Sequence, residues 1–250
     1  MKFITLLLAF QVALAASAQN TAVLVKEAAD LEKSMQDPQA LARYKEALAL
    51  DPSNVTLLCK CSEISSRIGS RLIDNPESCS GYFRDAKSYA TQALAVDPRS
   101  SEANFSMALA ISNEATQLGG KEKLEAVRNI KKYADLSIFF DQHNYKAWYI
   151  LGKWNYAMSS LNFMQKAAVK MFFSGFPPSS LSSAINCFEK ARSLNPGFLL
   201  NYYSLAQAHK ENDQDDLAIQ DLQTMLSLPN ISADDQKIKE EGAALLKKLN

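Results

Sequence analysis

Two histidines and four cysteines are the main resources this 250-residue chain offers to nucleophilic or metal chemistry, and their spacing suits neither. A Ser-His or Cys-His arrangement would have to use His143, in an Asp-Gln-His-Asn turn, or His209, which falls in a slot that the helical period assigns to the core. The cysteines form no Cys-x-x-Cys pair, and both histidines lie far from them in sequence, so a zinc site is not expected. Asp213, Asp215 and Asp216 could suggest a cation loop, but the glycine and distal glutamate of a calcium loop are missing. They read better as a polar turn with an N-capping acid before the next helix. No phosphate loop, dinucleotide fingerprint, nucleophile elbow or metal-binding helix motif is present. The expectation is a non-enzymatic protein without cofactor or metal.

The cysteines matter more if the chain is exported. Lys2, an apolar run over 3–15 and the small residues Ala16, Ser17 and Ala18 form a signal-peptide pattern over 1–18. The run is shorter than the ~20 apolar residues that a spanning helix needs. Cleavage after Ala18 would leave Gln19 first, and no cysteine follows to carry a lipid, so the expected location is periplasmic or secreted. No later segment is long and apolar enough to cross a bilayer. An oxidising compartment permits disulfides. Cys59 and Cys61 lie two apart on an expected helix and point to different faces, whereas Cys79, placed in the following loop, can reach back to Cys61. Four unpaired thiols are the alternative, and Cys187 reads as a small buried hydrophobe.

These residues are positioned by a repeat. Ala40-Tyr44-Ala47-Pro52, Ala86-Ala90-Ala93-Pro98 and Ala184-Phe188-Ala191-Pro196 share one spacing. Ile130-Ala134-Ser137-Gln142 is a looser copy, and Ala218-Leu222-Met225-Pro229 has its proline one residue early. Positions three and four apart share one face of a helix, and the proline ends it. Each such helix is preceded by another with large residues at matching offsets, of which Trp148-Tyr149-Ile150-Leu151-Gly152 is the clearest, Gly152 allowing close approach of its partner helix. Paired helices of this kind resemble the tetratricopeptide family. The resemblance implies an all-α, right-handed α-solenoid of about five irregular helix pairs over 21–54, 55–100, 101–144, 145–198 and 199–231, closed by a capping helix over 232–250. Formal net charge is zero with both signs interspersed, so no basic footprint for nucleic acid stands out.

The repeats depart from the regular length of about 34 residues. The extra length falls between the two helices of a pair, which predicts longer helices and a loop protruding on one rim. The largest insertion, 157–183, is rich in Phe and Met. It either packs back on the solenoid or touches a membrane or lipid through Phe172, Phe173 and Phe176, with Lys166 and Lys170 at headgroup level.

In the tetratricopeptide family the first helices line a concave face, and the residue after the Trp slot points into it. That register directs Phe105, Tyr149 and Tyr203 to the groove, joined by Lys146, Lys153 and Tyr156. Such platforms suit peptides or amphipathic ligands, or else they complete the core between repeats. A narrower resemblance is carried by Lys131-Lys132-Tyr133-Ala134-Asp135, by Tyr145 through Tyr156, by Phe172-Phe173-Ser174-Gly175-Phe176-Pro177 and by Asn195 through Tyr202. These stretches look like the regulator of microtubule dynamics family, in a bacterial secreted form, with coverage from about Leu41 to the C-terminus. That family's eukaryotic members associate with microtubules and some with membranes. The resemblance implies a scaffold or adaptor with a protein or peptide partner, the alternative being a lipid or hydrophobic-ligand binding protein at a membrane surface.

Overall fold

The computed structural model describes residues 19–175 and 177–249. The expected signal peptide and Phe176 therefore lie outside the described residues. Among the described residues all regular structure is helical, in two compact units that divide between Pro98 and Arg99. The first unit holds α1 (19–33), α2 (Asp37–Leu50), α3 (Val55–Arg71) and α4 (Pro76–Val96). The second holds α5 (Ser101–Glu114), α6 (Gly120–Phe140), α7 (Tyr145–Ser159), α8 (Phe163–Phe172), α9 (Leu181–Leu194), α10 (Leu199–Glu211), α11 (Asp215–Ser227) and α12 (Asp235–Leu249). Helices pack as the pairs α3–α4, α5–α6, α7–α9 and α10–α11, and α12 covers α11 and α10.

One turn chemistry separates the pairs. The backbone N–H groups of Asp51, Asp97, Asp141 and Asn195 close the preceding helix on Ala47, Ala93, Ser137 and Ala191. In three of these turns a proline follows at once and prevents continuation. Three residues after Asp51, Asp97 and Asp141, the side chains of Asn54, Ser100 and Asn144 accept N–H bonds from Leu57, Ala103 and Ala147 and start the next helix. Phe198 fills that position before α10 and gives no side-chain cap.

The small slots are where the helices meet. Ala40, Ala47, Ala86, Ala90, Ala93, Ala134, Ala184, Ala191 and Ala218 are fully buried, with Tyr44 and Phe188 in the aromatic slots between them. Gly152 faces Phe188 so closely that a Cβ would lie 2.5 Å from the ring. Gly69 meets Phe83 in the same way, at 2.6 Å, in the α3–α4 pair.

The extra length lies within pairs. In α3–α4 and α5–α6 it lengthens α4 and α6 to 21 residues each, against 14 in α2 and 13 in α11. In the α7–α9 pair it forms a separate helix, α8. Here a reciprocal capping box between Asn162 and Gln165 starts the helix, and the Gly175 N–H donating to the Lys170 carbonyl at 2.8 Å closes it.

The structure corrects the expected Cys61–Cys79 disulfide. All four cysteines are buried thiols, and Cys79 belongs to α4 rather than to a loop. Ser62, next to Cys61, donates to the Ala86 carbonyl at 2.8 Å, which puts Cys61 beside that level of α4. Ala86 lies two helical turns beyond Cys79, about 10 Å along the axis. A disulfide needs Cα atoms within about 7 Å.

Candidate partner-binding surface

Lys146, Tyr149, Lys153 and Tyr156 recur every three or four residues on α7 and so share one face. The structure divides the six expected groove residues into two groups. Phe105 and Tyr149 are buried. The Lys146 ammonium lies over the Phe105 ring at 4.7 Å while pairing with Glu102 at 2.8 Å. Tyr149 meets Phe198 edge-on at 5.0 Å and Phe188 at 5.8 Å, and its hydroxyl shares a hydrogen bond with Ser204 at 3.3 Å. The Lys153 ammonium also lies over that ring, at 5.8 Å from its centroid. Phe105 and Tyr149 thus complete the packing between neighbouring pairs and leave little ring surface for a ligand.

Tyr156 and Tyr203 instead line an open recess of about 280 Å³, with Gln207 and Lys210 of α10 and Leu245 and Lys248 of α12. The Tyr156 hydroxyl donates to Glu211 Oε1 at 2.7 Å. Burial, and then the Glu211 carboxylate, raise its pKa well above the usual phenol range. Burial and Glu241 raise that of Tyr203 in the same direction. Both phenols therefore stay protonated at neutral pH. The Glu211 carboxylate is already engaged as an acceptor, while Lys210 and Lys248 also line the recess. The arrangement can hold a chain by stacking and hydrogen bonding.

The sequence reading missed two contributions. The recess needs α12, whose part could not be read from the repeat because the capping helix lies outside its pattern. Elsewhere on α10, His209 is a core residue, as its slot implied, but its Nδ1 contacts Asp221 at 2.8 Å, and Arg192 reaches the same carboxylate at 3.2 Å. Burial pushes the Asp221 pKa up further than His209 and Arg192 pull it down. This group ties α9, α10 and α11 together. His143, in contrast, is exposed in its turn.

Of the two alternatives for the insertion, Phe172 and Phe173 follow the one in which it packs back on the fold. Phe172 and Phe173 are half-buried against the Arg128 guanidinium, at 4.3 and 5.0 Å from the ring centroids. Arg128 also donates to the Phe172 carbonyl at 2.9 Å. Phe163, Met164 and Met171 are the outward residues, 85%, 80% and 84% exposed. Among the described residues no cluster of His, Cys, Asp or Glu could hold a metal, and no helix is long and apolar enough to cross a membrane.

Paired helices with small-residue slots, proline-ended second helices and a glycine under an aromatic ring define a tetratricopeptide-type α-solenoid fold. A thermophilic TPR protein of Thermus thermophilus has the same fold, with a TM-score of 0.66 at 12% identity over 91% of this chain and 99% of that one. The yeast Tom70 structure matches at a TM-score of 0.53 and 16% identity, covering 96% of this chain and 42% of Tom70. The model of the family Regulator of microtubule dynamics protein 1-3 matches residues 24–250, and the chain belongs to that family. Regulator of microtubule dynamics protein 1 of Mus musculus is 25% identical over 209 residues, 83% of this chain and 67% of that protein. The Caenorhabditis elegans protein of the same name is 23% identical over 164 residues, 66% of this chain and 73% of that protein.

Proposed function

We propose that this protein is a non-catalytic interaction scaffold that holds a protein or peptide partner in the recess between α7, α10 and α12. The observation that carries the reading is the pair of tyrosines, Tyr156 and Tyr203, which line an open recess, with the Tyr156 hydroxyl anchored to Glu211. Anchored aromatic rings present a large contact area at low entropic cost, a common basis for partner recognition. Helical-repeat proteins use such surfaces for extended ligands. We further propose that the scaffold works after export, in the periplasm or outside the cell, a reading supported by the Lys2, apolar-run and Ala16-Ser17-Ala18 pattern.

The test is affinity capture by the chain that begins at Gln19, from an extract of the exported compartment of its own host. Comparison is with Tyr203→Ala and Lys210→Ala. The expected outcome is a partner retained by the parent protein and lost from both variants, whose circular dichroism is unchanged. Capture of the same partners by all three proteins would remove the recess from consideration.

A further inference from the structure

The outer face of α8 has no role in the recess, yet it is an unusual surface in this molecule. At about 100° per residue, Phe163, Ala167, Met171, Met164 and Ala168 fall within about 140° of the helix circumference. All five are exposed, and the three large ones are at least 80% exposed. Val169, the buried residue of this helix, lies opposite the centre of that arc. The helix rests on the protein through Val169 and through Phe172 and the adjoining Phe173 on Arg128, so its apolar side points away. Its ends are fixed locally, by the Asn162–Gln165 box and by the turn at Gly175.

The charge pattern around it indicates what covers this face. Residues 142–188 contain no Asp or Glu, although the chain has 27 of them, and they carry Lys146, Lys153, Lys166 and Lys170. The even interspersion of charge expected from composition fails over this stretch. Lys166 and Lys170 flank the apolar arc on its Phe163 side, where long stems can lie along an apolar boundary and keep the ammonium groups in water. A protruding helix cannot fill a partner's groove unless that groove is shaped for it, whereas a fluid lipid surface accepts any convex shape. Apolar arc, flanking cations and missing acids together match an anionic bilayer interface.

We propose that α8 docks the protein on anionic lipid surfaces, with Phe163, Met164 and Met171 entering the interface and Lys166 and Lys170 among the headgroups. Phe172 and Phe173 act as the fixed base of this device, clasped to Arg128, rather than as the inserted residues. The site is separate from the recess, so docking and partner capture can fail independently.

The experiment is flotation of the chain from Gln19 with vesicles of phosphatidylcholine alone or mixed with phosphatidylglycerol. Flotation with the mixed vesicles that weakens with salt is expected, with little on the neutral ones. Phe163→Ser, Met164→Ser and Met171→Ser combined should lower binding by about tenfold or more. Lys166→Glu with Lys170→Glu should lower it by at least about fivefold per lysine. Phe139→Ser removes an exposed ring outside α8 and should float like the parent. All these positions are exposed, and circular dichroism verifies that each variant is folded. The proposal is overturned if the parent stays unbound to both vesicle types, if the α8 variants float as the parent does, or if sedimentation shows an α8-dependent dimer without flotation.

Discussion

Glu32 shows how much a single carboxylate can hold together in the first unit. It accepts from Lys60 at 3.1 Å, Arg67 at 3.0 Å and the Tyr44 hydroxyl at 3.2 Å, and Arg67 continues to Asp37 at 2.8 Å. Burial raises the Glu32 pKa, but attraction to Lys60 and Arg67 and their hydrogen bonds outweigh it, and the net shift is downward from 4.5. A carboxyl whose folded pKa lies below its unfolded value stabilises the fold above the unfolded value. That contribution fades as pH falls through the folded one. Glu32→Gln should therefore cost about 1–3 kcal/mol near neutral pH. The difference from the parent protein should shrink below about pH 4 in urea unfolding curves. A constant difference across that range would mean that the carboxylate's charge does not matter. None of this network was legible in the sequence, because its members come from three helices and share no spacing. The same holds for Asp221: the repeat register marked His209 as a core position, but not the acid that reaches it from α11.

At the scale of the element the sequence was far more informative, since a helix face is written at fixed offsets. The buried alanines, the aromatic slots and the proline-ended helices could all be read from periodicity, and so could the close approach at Gly152. Gly152→Ala tests that approach. A central helical Gly→Ala change ordinarily gains about 1 kcal/mol, but here the new methyl would overlap Phe188, whose side chain is 1% exposed. Overpacking costs about 1–3 kcal/mol, so net destabilisation is expected, relieved in part by Phe188→Leu. Equal melting temperatures for G152A and the parent would show that Phe188 has room to move. Cys79 was misplaced, and the packing of the α8 phenylalanines left open, for one reason. The sequence does not say whether an insertion becomes loop, longer helix or new helix, nor that Arg128 waits far upstream to receive Phe172 and Phe173.

Over the whole molecule the four thiols report on integrity. Cys59, Cys61 and Cys79 belong to the first unit and Cys187 to the second, and all are buried. Burial pushes the Cys61 thiol up to about 12 and Cys187 to about 11. Fewer than about one molecule in a thousand then carries the reactive thiolate at these two sites at pH 8. Native protein should take up no iodoacetamide, and protein in strong denaturant should take up four groups by intact mass. Labelling of a single site under native conditions would expose a local opening, and a mass two hydrogen atoms light would revive the disulfide. The recess and the α8 face were only half legible at this scale. Their tyrosines and lysines stood out, but the surfaces they form depend on α12 and on a helix that no repeat predicts.

The placement of the extra length has a consequence for how such a chain can change over time. Between successive pairs the connection is a short turn of nearly constant length, closed by an aspartate or asparagine and reopened in three of four cases by a capping side chain. Within a pair the length varies from a few residues to a complete additional helix. Within each unit, the joints between successive pairs carry none of the extra length, and the connections inside a pair are where whole segments can be acquired or lost. New surfaces can be added there one at a time, each tested by selection on a scaffold that is already folded.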